Sequence, residues 1–293
     1  MSDKPVSEKP GITQAMIDAY DDFTHRTLDR RGFMERLTAI CGSAAVAAAV
    51  APLLAAGSAR AAIVPEDDSR LTTETITYGA MTGYLVRPAT LSATLPSVII
   101  IHENRGLNGH IKDVARRMAL EGFIALAPDF LSPNGGTPVN EDEARNLIGQ
   151  LDPAQTVADA EASLNYLESR NFTRPATGAI GFCWGGGLVN GFAARSKKLK
   201  AGVAYYGMQA PAEEVPGITA PLLLHYAGED QRINAGIESY RAALTAAGKT
   251  FEIHMYDGAQ HAFNNDTSEA RYNKAAADLA WSRTVGWFKR YLV

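Results

Sequence analysis

The chain has 293 residues, 46% of them hydrophobic and 20% charged, a globular composition that excludes a disordered or fibrous protein. Its net charge is −4 and no stretch is strongly basic, which argues against nucleic acid as a partner. Two cysteines, Cys41 and Cys183, are too few for a disulfide framework.

The first 61 residues stand apart from the rest. Residues 29–36 read DRRGFMER, and the run from Leu37 to Ala59 carries no charge, with Pro52 inside it. Ala59-Arg60-Ala61 is a small-x-small cleavage pattern. Arg30-Arg31-x-Phe33 ahead of a mildly apolar run resembles a twin-arginine export signal. That resemblance implies the twin-arginine translocation machinery as a partner, a periplasmic or exported protein, and a mature chain starting near Ala62. An acidic leader (Asp3, Glu8, Asp18, Asp21, Asp22 and Asp29) is unusual for a targeting segment. Ile12, Met16, Tyr20 and Phe23 also fall on one helical face. The alternative is therefore a retained helical arm on a cytoplasmic protein. Both readings divide the chain into a leader, 1–61, and one domain, 62–293.

Beyond the leader, strands and helices alternate. Glu74–Pro88 reads as a hairpin turning near Gly79, and Ser97–His102 (SVIIIH) as a strand buried on both faces. A helix over Ile111–Glu121 and a strand over Phe123–Pro128 follow, then a helical tract over Glu141–Arg170 broken at Pro153. Thr177–Phe182 is a strand and Leu188–Ser196 a helix. Ala201–Tyr206, Pro221–Tyr226 and Phe251–Tyr256 are further strands, with a helix at Ala235–Ala247 and a closing helix at Ala270–Leu292. This rhythm predicts an α/β domain, a mainly parallel sheet with helices on both faces. Such sheets carry their chemistry in the loops at the carboxyl ends of the strands.

Those loops hold the candidate residues. Gly181-Phe182-Cys183-Trp184-Gly185 is a G-x-C-x-G nucleophile elbow between a strand and a helix. Asp230 follows the strand Pro221–Tyr226, with Glu229 as a rival acid, and His261 follows Phe251–Tyr256. The order nucleophile, acid, histidine is that of the α/β-hydrolase fold. His261 is the expected base and Asp230 the group that fixes its tautomer. Helix N-terminal amides favour a thiolate and an oxyanion. The oxyanion hole is expected from the backbone amides of Asn104 and Trp184. A zinc reading of His102, Glu103 and His110 fails on spacing, because His110 lies eight residues from His102 across two glycines. His102, His225 and His254 read as strand histidines. No metal or other cofactor is called for.

The set HENRGLN, GFCWGG, AGED and GAQHAF resembles the dienelactone hydrolase family over roughly residues 72–293. The resemblance implies an α/β-hydrolase without a large cap domain that acts on a small-molecule ester or lactone. It implies a triad of Cys183, Asp230 and His261, and a Glu103 that contacts the resting thiol until substrate displaces it. The namesake enzymes carry serine after the histidine and, three positions on, an arginine for the substrate carboxylate. Here those positions are Ala262 and Asn265. Arg105, Arg145 and Arg232 are the candidate replacements, Arg105 being nearest the site in sequence. Tyr206, with Trp184 and Met208, is expected to line the substrate pocket. Two other classes stay open at this point: a single-cysteine redox protein, and a binding module without catalysis. The sequence does not give the oligomeric state.

Overall fold

The computed structural model describes residues 11–25, 28–55 and 62–293. They form two compact units, one gathering the described residues up to 55 with Asn265–Tyr272, the other residues 62–264 with Asn273–Val293.

The first unit is helical: α1 (Gln14–Thr24), α2 (Arg30–Cys41) and α3 (Ala44–Leu54). Asp29 caps α2 through the Gly32 amide at 2.7 Å, and Ser43 caps α3 through that of Val46 at 3.2 Å. The face predicted on α1 is the one that packs. Met16, Tyr20 and Phe23 are buried with Phe33, Leu37, Val50 and Leu54, and the Phe23 and Phe33 rings stack at 4.8 Å. Arg271 lies over the Tyr20 ring at 5.0 Å and pairs with Asp21 at 3.2 Å. The double arginine Arg30-Arg31 opens α2, and the apolar run continues through α3, bent from α2 by 114°. No single helix among the described residues is long and apolar enough to cross a membrane. The Ala59-Arg60-Ala61 pattern lies outside the described residues.

The second unit is built on one eight-stranded sheet. In chain order its elements are β1 (Leu71–Tyr78), β2 (Met81–Pro88), β3 (Leu95–Ile101), α4 (Gly109–Leu120), β4 (Ile124–Asp129), α5 (Glu141–Ile148), α6 (Pro153–Glu168), β5 (Thr173–Phe182), α7 (Trp184–Arg195), β6 (Ala201–Tyr205), β7 (Leu222–Ala227), α8 (Gln231–Asn234), α9 (Ile237–Ala246), β8 (Phe251–Tyr256) and α10 (Lys274–Leu292). The strand order is β1-β2-β4-β3-β5-β6-β7-β8. The β1–β2 and β2–β4 pairings are antiparallel and the others parallel. The central strands carry Val98–Ile101, Ile124–Ala127 and Leu222–Leu224 buried on both faces, as crossover helices on each side require. This is the α/β-hydrolase fold, a mostly parallel mixed sheet with no large cap.

Several boundaries differ from the sequence reading, and three of the differences have a clear local cause. Helix α7 starts at Trp184 rather than Leu188, because the glycines after Cys183 form its first turn. The tract from Glu141 splits over residues 149–152, and Pro153 opens α6 behind an Asp152 cap at 2.8 Å, the helix position where a missing N–H costs nothing. The closing helix begins at Lys274, capped by Asn273, and Ala270 belongs to the first unit.

At the start of the second unit, Val64 is held at both backbone groups by α4. Its N–H donates to Asp113 at 2.7 Å and its carbonyl accepts from Arg116 Nε at 2.8 Å. Burial raises the Asp113 carboxyl above its ordinary value, against the Val64 amide and nearby arginines.

Candidate active site

The adjacent strands β3, β5, β6, β7 and β8 end side by side, and each releases one residue of interest. Pairing runs Ile101 with Gly181, Phe182 with Tyr205, Tyr205 with His225, and Ala227 with Tyr256. Glu103, Cys183, Tyr206, Asp230 and His261 thus emerge along one sheet edge although 158 residues separate the first from the last.

Cys183 occupies the turn between β5 and α7 with φ 55° and ψ −115°, a region non-glycine residues rarely visit. Its backbone is held from both sides: its N–H donates to Tyr205 O at 3.0 Å, and its carbonyl accepts from the Gly187 amide at 3.1 Å. Glycine is required at two flanking positions. A Cβ on Gly181 would lie 2.1 Å from the Gly185 carbonyl oxygen, and one on Gly185 would lie 2.5 Å from that of His102. Without those side chains the first turn of α7 closes onto the end of β3. The start of α7 thereby lies against the His102 carbonyl, in the residue directly before Glu103.

His261 is buried, and its Nδ1 meets Asp230 Oδ2 at 2.5 Å. The other Asp230 oxygen accepts from the Ile233 amide at 3.2 Å. Glu229, the rival acid, is exposed, and its amide donates to Ala259 O at 3.0 Å, tying the acid's loop to the histidine's. Ala262, at φ 66°, turns the backbone immediately after His261. Cys183 Sγ lies within 4.8 Å of a His261 ring nitrogen.

Burial alone would push the His261 imidazole down. The Asp230 carboxylate and the Cys183 sulfur outweigh burial and carry it up to about 10. For Asp230, burial opposes ionisation, but His261 and the Ile233 amide prevail and hold the carboxyl below its ordinary range.

Glu103 is buried beside Tyr206, whose hydroxyl donates to Oε1 at 3.5 Å. Tyr206 is itself strained at φ 39°, with its ring 4.9 Å from that of His261. The loops after β3 and β4 are braced together. Thr137 Oγ1 donates to Asp129 at 2.8 Å and accepts from the Leu107 amide at 2.9 Å.

The candidate arginines have protein partners. Arg105 is buried and pairs with Glu141 at 2.8 Å. Arg145 pairs with Asp142 at 3.2 Å, and exposed Arg232 reaches Met208 Sδ at 3.8 Å. Asn265 accepts from the Thr267 amide at 3.1 Å within its own turn. His225 is a buried strand residue, hydrogen-bonded to Tyr256 at 2.9 Å and Thr284 at 3.2 Å. His254 lies 3.4 Å from Glu252. The sequence reading passed over Asp129 and Thr137, took His102 only as a strand histidine, and met Ala262 only as a departure from the family pattern. Only His102 carried a signal, its place directly before Glu103.

Comparison with known proteins agrees with this architecture. The sequence model of the Dienelactone hydrolase family matches residues 81–292. A protein of Escherichia coli (strain K12), provisionally named a carboxymethylenebutenolidase, is 33% identical over 225 residues, covering 72% of this chain and 83% of that protein. A Bradyrhizobium sp protein, provisionally named a 2-oxo-3-(5-oxofuran-2-ylidene)propanoate lactonase, is 31% identical over 224 residues, covering 72% and 89%. The crystal structure of a provisionally named dienelactone hydrolase from Klebsiella pneumoniae subsp. pneumoniae MGH 78578 superposes with a TM-score of 0.68 at 30% identity, covering 75% of this chain and 99% of that one.

Proposed function

Because this chain belongs to the dienelactone hydrolase family and is a hydrolase of lactones or esters, we propose that it works through a Cys183–His261–Asp230 triad and a thioester acyl-enzyme. The observation that carries this reading is the arrival of a strained cysteine, a buried histidine and that histidine's carboxylate partner at one edge of the sheet.

His261 takes the proton of the Cys183 thiol, and Asp230 holds the Nδ1–H side of the ring. The thiolate attacks the carbonyl carbon, and the amides of Asn104 and Trp184 receive the developing oxyanion. The raised affinity of His261 for its proton suits the next step, in which the imidazolium protonates the departing alkoxide or enolate. Neutral His261 then deprotonates a water that attacks the thioester, and collapse releases the carboxylic acid and Cys183. Glu103 accepts from Tyr206, whose ring lies beside His261, and a Glu103 that gives way when substrate binds belongs to the same reading. An amine leaves less readily than the thiolate, so amides are poor substrates.

A panel of lactones, aryl esters, short alkyl esters and matched amides tests the reading. Lactones and aryl esters are expected to turn over, with amides at least about 10³-fold slower in kcat/KM. Comparable amide and ester rates would reject the thioester route. The paired state of Arg105 and the change at Asn265 place no carboxylate requirement on the substrate, so neutral lactones belong in the panel.

The twin-arginine motif supports export as part of the same proposal. N-terminal sequencing of the protein recovered from its host is expected to read from near Ala62. A chain still carrying residues 1–61 outside the cytoplasm, or found only within it, would reject cleavage and export.

A further inference from the structure

His102 follows the end of β3 and directly precedes Glu103, and its side chain is fully buried. One ring nitrogen, Nδ1, meets the Glu103 carbonyl oxygen at 2.7 Å, and the other, Nε2, meets the Phe130 amide at 3.2 Å. A carbonyl only accepts and an amide N–H only donates. Nδ1 therefore carries the single ring proton and Nε2 is the acceptor. Burial holds the imidazole below its ordinary value, against the pull of the Glu103 carbonyl and nearby carboxylates, which keeps the ring neutral. Its one bare nitrogen is occupied by Phe130, so the ring offers no lone pair to a metal.

The Glu103 carbonyl and the Asn104 N–H belong to the same peptide unit. That unit is trans, so the two groups point in opposite directions. A hydrogen bond that pins the carbonyl toward His102 therefore aims the Asn104 N–H away from it. The Gly106 amide reaches the same carbonyl at 3.4 Å and adds a weaker restraint. The flat face of the imidazole stacks on the Trp184 indole, with centroids 5.3 Å apart and planes at 17°. Phe130 lies edge-on to both rings at 5.6 Å. The His102 carbonyl also approaches Gly185 closely enough to exclude a Cβ there.

Resting on the triad reading above, we propose that His102 is a positioning residue that sets both halves of the oxyanion hole. Its Nδ1–H orients the Asn104 amide, and its ring seats Trp184, whose amide is the other donor. It touches no reacting atom. Its contribution is to fix the two donors before charge develops, which is when such donors are worth most.

The test uses three variants in the full chain. His102→Phe keeps a ring against Trp184 but has no N–H. It is expected to lose about 10- to 100-fold in kcat for an aryl ester with KM within about 3-fold, since an interaction made in the transition state is weakened. His102→Gln retains a donor and an acceptor but no ring against Trp184, and is expected to fall between the parent and His102→Phe, recovering at least about 3-fold of the kcat lost in His102→Phe. Alkylation of Cys183 by iodoacetamide is displacement at saturated carbon and forms no oxyanion. Its rate is expected to stay within about 2-fold in both variants. A parent-like kcat in His102→Phe, a His102→Gln as slow as His102→Phe, or alkylation slowed in step with kcat would overturn the proposal. Should His102→Phe fail to fold, nitrogen NMR of the imidazoles in the parent protein decides, with the His102 signals identified by their loss in His102→Gln. A protonated Nδ1 and bare Nε2 are expected, and the reverse tautomer overturns the assignment. Cys183→Ala separates the two levels of inference. If it still hydrolyses esters the triad reading fails, and if it is inactive the His102 outcomes bear on His102 alone.

Discussion

Cys183→Ala is expected to lower kcat/KM for an activated aryl ester by at least about 10⁴-fold, the scale seen when a covalent nucleophile is deleted and only binding and oxyanion donors remain. The fold should tolerate the change. Cys183 is held in its strained conformation by backbone bonds to Tyr205 and Gly187 and by the close packing at Gly181 and Gly185. Removing one sulfur leaves these untouched, so stability should fall by less than about 1.5 kcal/mol. Steady-state kinetics beside a thermal melt give the answer. Substantial ester turnover by the well-folded variant would remove the nucleophile from Cys183, and an unfolded variant would contradict the backbone account of the turn.

Asp230→Asn should lower kcat by about 10³- to 10⁴-fold, because an amide cannot hold the imidazolium or select its Nδ1–H tautomer as a carboxylate does. It should also change how stability depends on pH. His261 moves from 6.5 up to about 10 on folding, so its contribution is fully present below 6.5 and disappears as pH rises through about 10. The Asp230 carboxyl is held below 3.8, so its contribution is present above that value and lost in stronger acid. The pair therefore stabilises most between about pH 4 and 6.5. The melting-temperature gap between parent and Asp230→Asn should be widest there and narrow steadily toward pH 10. A gap that stays constant across that range would mean that the carboxylate–imidazolium pair does not govern stability.

The strand-helix alternation and the gathering of Cys183, Asp230 and His261 at one sheet edge were legible in the sequence because each rests on a local rule. Cys183 sits in a glycine-marked elbow, and Asp230 and His261 each follow an apolar run of strand length. Parallel-sheet topology then converts position along the chain into proximity in space. The contacts of the arginines were not legible. A sequence shows Arg105 beside Glu103 but not Glu141, 36 residues on, arriving to neutralise it. His102 is buried and hydrogen-bonded as expected but lies one residue past the end of β3 rather than in it, and its stack on Trp184 depends on the register between β3 and β5 and on how tightly α7 closes. The start of α7 was placed too late because glycine's poor intrinsic helix propensity concealed a turn selected for close approach. Likewise Ala270 fits the apolar pattern of α10 but is packed elsewhere, since periodicity does not say where a cap residue such as Asn273 ends one element and begins another.

The elbow at Cys183 does not use sulfur to hold its turn. Its side chain caps nothing in α7, and the turn is specified by main-chain bonds and by the absence of side chains at its neighbours. If Cys183 is the nucleophile proposed above, the scaffold dictates where it stands while leaving its element unspecified. An oxygen on the same Cβ would point the same way on a shorter bond, with a different acidity and a different acyl bond. Identity of the attacking atom is a separable character of this architecture, free to change by a single substitution without redrawing the backbone around it.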